Sequence, residues 1–141
     1  LWGWLNKTKR IFKKDLHLNR IENSVMMGMA DVEGCLKGIQ FWIELKCEAR
    51  PSNPRTKIKL RFEPAQLPWL NRRIEAGGRA FVLIQVGQGA SAGRYLIPAD
   101  FQGALKRGMT EDALKNYAAV DPKATATDII IAASKYDNFL Q

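Results

Sequence analysis

Between Asp31 and Lys46 the chain reads Asp-Val-Glu-Gly-Cys-Leu-Lys-Gly-Ile-Gln-Phe-Trp-Ile-Glu-Leu-Lys, and this stretch constrains the fold more than any other. It is a β-hairpin pattern. The second arm, Ile39 to Leu45, is rich in aromatic and β-branched residues, which suits a strand. Lys37-Gly38 separates the arms as a turn, with Gly38 able to take positive φ. This turn pairs Leu36 with Ile39 and Cys35 with Gln40, and so on outward until Asp31 faces Glu44. Two carboxylates facing each other across neighbouring strands repel. A cation between them removes the conflict, and a divalent metal ion is the simplest one, since hard cations take carboxylate oxygens. Strand alternation puts Trp42, Glu44 and Lys46 on one face and Ile43 and Leu45 on the other. Glu33 shares the face of Asp31, opposite Trp42, either as a solvated carboxylate or as a water-mediated metal contact. Trp42 is expected to pack on the first helix.

An Asp followed by a strand ending Glu-x-Lys resembles the signature of the PD-(D/E)XK nuclease superfamily, here Met29-Ala30-Asp31 and Ile43-Glu44-Leu45-Lys46. Arg20-Ile21-Glu22-Asn23 and Gln66-Leu67-Pro68-Trp69 resemble further pieces of its VRR-NUC branch, which includes small stand-alone phage members. The resemblance runs from about Ile11 to Gly87, with four elements in order. It departs at Ala30, where the family usually has a Pro that shapes the start of the strand and is not a ligand.

The resemblance implies a restriction-endonuclease-like fold: α/β, a mixed β-sheet flanked by helices, with residues 1–141 as one nuclease domain. It implies a metal-dependent DNA endonuclease that hydrolyses phosphodiester bonds. Asp31 and Glu44, with the carbonyl of Leu45, would hold Mg2+, and Mn2+ would substitute. Lys46 would orient or help deprotonate the attacking water. From the resemblance alone, Glu22 would hold a second metal or its water shell, and Gln66 would fix the water or Lys46. Compact stand-alone relatives look like Holliday (four-way) junction resolvases, so branched DNA and a homodimer are expected. The alternative is a general or flap-type repair or restriction nuclease. The rival outside enzymes is an inactive nucleic-acid-binding module. A purely structural reading makes Asp31–Lys46 and Glu44–Lys46 salt bridges.

Charge agrees with a polyanionic partner. The net charge is +8, with basic clusters at Lys7, Lys9, Arg10, Lys13 and Lys14 and at Arg50, Arg55, Lys57, Lys59 and Arg61. Positive charge beside an acidic metal site is what phosphate-backbone binding needs. The expected DNA contacts are Lys13, Lys14, Arg50, Arg55, Lys57, Lys59 and Arg61. Two cysteines, Cys35 and Cys47, make a disulfide framework a poor fit and suggest a reducing compartment. A cytoplasmic location is expected, that of the host cell if a phage encodes the chain. The lone His17 argues against His-based zinc sites. No apolar run approaches the ~20 residues of a membrane span, and Leu1 to Leu5 is too short for a signal-peptide core. The sequence lacks a starting Met, which reads as a trimmed start. No membrane and no organic cofactor are implied.

The remaining elements are read from periodicity and punctuation. Asn6 to Asn23 reads as a helix with Ile11, Leu18 and Glu22 on one face and His17 exposed or half-buried. Asn23 to Ala30 is a connector or first strand, with Met26, Met27 and Met29 packing. Cys47 to Lys59 is an exposed loop. A helix from Arg61 or Phe62 to Ala76 holds Gln66 in its first turn. Arg79 to Gly87 is a buried central strand. Gln88 to Gly93 is a turn and Arg94 to Pro98 a strand. Asp100 caps a helix over Phe101 to Lys106, and Thr110 caps another from Glu111 to about Ala119. An apolar helix over Asp128 to Leu140 docks on its own domain or on a partner subunit.

Overall fold

The computed structural model describes residues 1–22 and 28–135. Five strands form one sheet in the order β1 (Leu16–Arg20), β2 (Val32–Leu36), β3 (Ile39–Glu48), β4 (Ala80–Val86) and β5 (Gly93–Pro98). β3 and β4 run parallel, and the other neighbours antiparallel, so the sheet is mixed. A parallel pair needs a crossover, and the helix α3 (Gln66–Glu75) lies in it. The other helices are α1 (Trp2–Asn6), α2 (Lys9–Phe12), α4 (Gln102–Arg107), α5 (Glu111–Tyr117) and α6 (Ala126–Lys135). The chain is therefore α/β, with helices on both faces of the sheet.

The hairpin adopts the expected register, from Leu36 opposite Ile39 to Val32 opposite Ile43. Lys37 and Gly38 both have positive φ, 49° and 86°. Such a turn matches the right-handed twist of the arms. Packing enforces the register, because Gly34 lies against Phe41 and a Cβ there would sit 2.3 Å from the ring.

Alternation along β4 divides the core. Ala80, Val82, Ile84 and Val86 join α3, α4 and α5 on one face. Phe81 and Leu83 meet Leu5 and α6 on the other. Ile129, Ile130 and Ala133 of α6 pack with Val32, Phe41 and Ile43, so this apolar helix docks on its own chain. Among the described residues no helix is long and apolar enough to cross a membrane.

The first expected helix is not there. α1 and α2 are short, a turn of 3-10 helix spans Lys13–Asp15, and β1 follows. Leu16 and Leu18 are buried while His17 is exposed, so the true period here is two. Ile11 is 64% exposed and anchors no apolar stripe. Lys13, at φ 52°, breaks the helical path.

That change redirects Trp42. It packs on α3 rather than on an N-terminal helix, edge to face with Trp69 at 5.3 Å between ring centroids. The Arg73 guanidinium lies 4.7 Å from the Trp42 ring centroid. α3 also starts later than expected, at Gln66. Residues 61–63 before it form no helix, Pro64 and Ala65 make a turn, and Ile58 is paired to Met109. Pro68 falls in its first turn, where a missing N–H leaves no helical bond unmade.

β3 runs on through Glu48, so Cys47 belongs to a strand and not to the loop, and both cysteines are free thiols. Phe101, not Asp100, occupies the N-cap of α4. Thr110 caps α5 as expected, its side chain accepting from the Ala113 N–H at 3.2 Å. Asn23, Met26, Met27 and the end of the C-terminal helix lie outside the described residues.

Candidate active site

β2 ends where the site begins. β3 continues past Ile43 with β4 on one side and no β2 partner on the other. In β3 the even residues turn their backbone groups to β4, as the Trp42 N–H bond to the Arg79 carbonyl shows. Leu45 therefore turns its N–H and C=O to the vacated edge. Asp31 fills that edge, its Oδ2 accepting from the Leu45 N–H at 2.9 Å. The Asp31 backbone is fixed too, because its carbonyl accepts from the Ile21 N–H at 2.6 Å. Gly28 brings this segment against the start of α3, where a Cβ would lie 2.3 Å from the Ala65 carbonyl oxygen. The chain thus seats Asp31 beside Glu44 and near Gln66 through backbone contacts.

Glu44 is 1% exposed. Its Oε1 accepts from Gln66 Nε2 at 3.2 Å, while Oε2 is buried without a hydrogen-bond partner. Asp31 approaches it, but one carboxylate gives another no donor unless the pair takes up a proton. Burial foremost, then the contact with Asp31 and its repulsion, push the Glu44 carboxyl up to about 9 against the pull of Lys46.

Lys46 is half-buried and aimed by three neighbours. Its ammonium donates to the Arg61 carbonyl and, at 3.1 Å, to Gln66 Oε1, and it lies 4.7 Å from the Phe62 ring centroid. Gln66 Oε1 also accepts from the Glu63 N–H at 2.9 Å. Both donors fix the orientation of the amide, so its Nε2 can point only at Glu44. Gln66 thereby ties the Glu44 carboxyl and the Lys46 ammonium to the first turn of α3.

The residues fit a hard divalent cation. Asp31 and Glu44 offer carboxylate oxygens, one of them an orphan, and the Leu45 carbonyl shares their edge. Mg2+ is commonly held by one or two carboxylates with water completing its shell. Among the described residues no group of three or more His, Cys, Asp or Glu side chains is gathered for a metal. Glu22 is exposed just past β1 and is not on a helix. Glu33 lies opposite Trp42 as expected and accepts from Asn19 at 3.4 Å.

The basic residues divide. Arg55, Lys57, Lys59 and Arg61 are exposed on the segment leading to Phe62 and Gln66. Lys13 and Lys14 precede Leu16, which pairs with Leu36, so they sit at the turn end of the hairpin, away from Asp31. Arg50 is tied into the protein by two hydrogen bonds to Glu111, at 2.7 and 3.0 Å, and by one to the Val86 carbonyl. Arg50 holds the Glu111 carboxyl below its usual range. Glu111 also accepts from Tyr95, whose hydroxyl is pushed up by burial first and then by Glu111. This network anchors the start of the basic segment to the sheet. Sequence reasoning missed Phe62, the Arg61 carbonyl and Glu111. Alternation of Ile58, Leu60 and Phe62 with Lys59 and Arg61 was the available signal for Phe62.

Proton linkage makes the pair testable. A folded carboxyl raised above its ordinary value binds a proton that the unfolded chain has released. The contribution of this carboxyl to metal-free stability is then fully present below about pH 4.5 and is lost as pH rises toward about 9. The slope has a ceiling of about 1.4 kcal/mol per pH unit. Thermal melts in EDTA should fall across this range, and Glu44→Gln should flatten them. Stabilisation by Mg2+ should grow with pH, because the cation competes with that proton. A parent that melts at one temperature from pH 5 to 9 would contradict the buried pair.

Fold and site together define a mixed α/β protein with a paired-carboxylate and lysine centre. No protein-family model matches the sequence, and no curated protein matches it. Among solved structures the chain is similar to the Holliday junction resolvase Hjc of the archaeal hyperthermophile Archaeoglobus fulgidus. Identity is 14% and the TM-score 0.44, over 67% of this chain and 73% of that one. It is also similar to a structure described as a VRR_NUC domain, at 22% identity and a TM-score of 0.39, over 61% of this chain and 83% of that one.

Proposed function

We propose that this chain is a Mg2+-dependent DNA endonuclease that hydrolyses phosphodiester bonds. The observation that carries the reading is the orphan Oε2 of buried Glu44, with Asp31 against the same carboxyl and Lys46 held beside it by Gln66. A purely structural salt bridge would supply a donor to that oxygen, and none is present among the described residues.

Asp31, Glu44 and the Leu45 carbonyl would hold the ion. When bound, Mg2+ would polarise the scissile phosphate and lower the pKa of a water. An ammonium has three donors. Lys46 gives one to Arg61 and one to Gln66, which leaves the third for a phosphate oxygen or the attacking water. Gln66 keeps that donor in place through the reaction, so its role is positioning. Glu22 is kept as a candidate for a second ion or its water shell on the resemblance alone. Mn2+ is expected to replace Mg2+.

Arg55, Lys57, Lys59 and Arg61 would follow the phosphate backbone toward Lys46, while Arg50 holds their segment in place. Neutralising Arg55, Lys57 and Lys59 together should weaken binding to every DNA sequence alike. Each lost phosphate contact should flatten the salt dependence by about 0.9 in log–log slope. A loss confined to one sequence, read by anisotropy titrations across ionic strength, would contradict this placement.

The finer reading is a symmetric homodimer that resolves four-way junctions. Its support is the family resemblance together with symmetry: coordinated cutting of two strands needs two sites, which a two-fold dimer supplies. The test is a panel of linear duplex, flap and four-way junction at fixed salt with Mg2+, beside light scattering with and without junction. Preferred junction cleavage by a dimer is expected. One-subunit mass in both states with equal cleavage of duplex and junction would leave a general endonuclease. No Mg2+-dependent cleavage of any substrate would sink the nuclease reading.

A further inference from the structure

A groove of about 620 Å3 opens beside the site, lined by Leu60, Phe62, Pro64, Leu67, Gln102 and Lys106 among others. We infer that it receives a nucleobase extruded at the branch point of branched DNA while the adjoining phosphate lies at Lys46. The inference rests on the nuclease reading and gives it a means of telling branched DNA from duplex.

Continuity with the site is the first support. Phe62 lines the groove and also lies 4.7 Å from the Lys46 ammonium, measured to its ring centroid. Glu63, another lining residue, donates its N–H to Gln66. Phe62, Glu63 and Pro64 therefore wall the groove, while Arg61, Phe62 and Gln66 of the same segment aim the lysine. A base seated there stays within one nucleotide of the reacting phosphate.

The lining matches the chemistry of a base. Leu60, Phe62, Pro64 and Leu67 offer an apolar wall for a π face, which every base has. Gln102 gives its Nε2–H to the Ala99 carbonyl at 2.9 Å, leaving Oε1 as an acceptor for an exocyclic amine or ring N–H. Lys106 is exposed at the margin, where a phosphate oxygen would pass. The volume falls within the roughly 300–1,000 Å3 of small-ligand sites. The walls come from α3, α4 and the segment before α3, which the pairing of Ile58 with Met109 ties down.

Such a groove selects structure rather than sequence. Bases inside a continuous duplex are stacked and must be extruded to enter it. A nucleotide at an opened branch point has already lost stacking on one side and pays less, so branched DNA gains these contacts more readily than duplex.

The experiment uses 2-aminopurine as the probe base, placed at the branch point of a junction or inside a linear duplex, and titrated with the full chain in EDTA. The emission of the branch-point probe should change at least two-fold on binding, and that of the duplex probe should not. Gln102→Trp fills the groove. It should abolish the change and cut the preference for branched DNA about tenfold, with duplex affinity kept. Gly103→Leu is a second filling variant, since a Cβ there meets only the flexible end of Arg107, at 2.8 Å. Retention of the emission change and the preference in both folded variants would overturn the inference. So would an equal response from the duplex probe in the parent. Mg2+-dependent cleavage of linear duplex is read on the same preparations. Cleavage without an emission response refutes the groove alone, whereas a response without cleavage refutes the nuclease reading alone.

Discussion

Asp31→Ala and Glu44→Ala should each reduce Mg2+-dependent cleavage by about a thousandfold, equivalent to about 4 kcal/mol of transition-state stabilisation. DNA binding should stay the same or tighten. Either change removes an oxygen from the edge that would hold the ion, and also a negative charge that repels phosphate. The two variants should separate in metal-free stability. Asp31 accepts the Leu45 N–H at 2.9 Å, so its loss leaves that donor unmet and should destabilise by about 1–3 kcal/mol. Glu44 is buried with an orphan oxygen, so Glu44→Gln should be neutral or stabilising in EDTA while losing activity. Single-turnover cleavage, anisotropy and melts on the same preparations check this. Near-parental turnover in either variant would show that the ion, or the chemistry, is elsewhere.

Lys46→Ala should cost about a hundred- to a thousandfold in the single-turnover rate, the range seen when one donor to a developing charge is removed. The response to Mg2+ distinguishes it from the carboxylate variants. The ligands survive, so the rise in melting temperature on adding Mg2+ should persist in Lys46→Ala and vanish in Asp31→Ala. Lys46→Arg should not restore the rate. The planar guanidinium is larger than an ammonium, and the space is set by the Phe62 ring, the Arg61 carbonyl and Gln66 Oε1. Full activity in Lys46→Arg would mean that only a positive charge is needed there. Gln66→Ala frees the ammonium from one anchor and Glu44 from its donor, so it should lower the rate less than Lys46→Ala does.

The hairpin was readable in the sequence because everything that fixes it is local. The Lys37-Gly38 turn sets the register, and alternation then assigns Trp42, Glu44 and Lys46 to one face. β4 was readable for a similar reason, since a seven-residue strand with six residues buried, on both faces, has few other homes. The N-terminal region was misread because Ile11 and Leu18 happen to fall at helical spacing. What decides the conformation there is the pairing of Leu16–Arg20 with Val32–Leu36, a contact between distant residues that no local window contains. The error carried over to Trp42, whose partner became Trp69 of α3. Gln66 could be named only from the family resemblance. Its three hydrogen bonds join β3, α3 and the segment before α3, and no periodicity reveals such a junction. Arg50 shows the limit of charge counting. Its place in a basic cluster suggested DNA, and nothing in that cluster announced the ion pair it makes with Glu111, far along the chain.

The central claim is that Asp31 and Glu44 share a divalent cation. Crystals grown with Mn2+, measured at its absorption edge, test this most directly. One anomalous peak is expected between the two carboxylates, within about 2.3 Å of the nearest oxygens of Asp31, Glu44 and the Leu45 carbonyl, and absent from Glu44→Gln crystals. A parent crystal with Mn2+ bound elsewhere, and Glu44 Oε2 hydrogen-bonded to Asp31 through a shared proton, would contradict it.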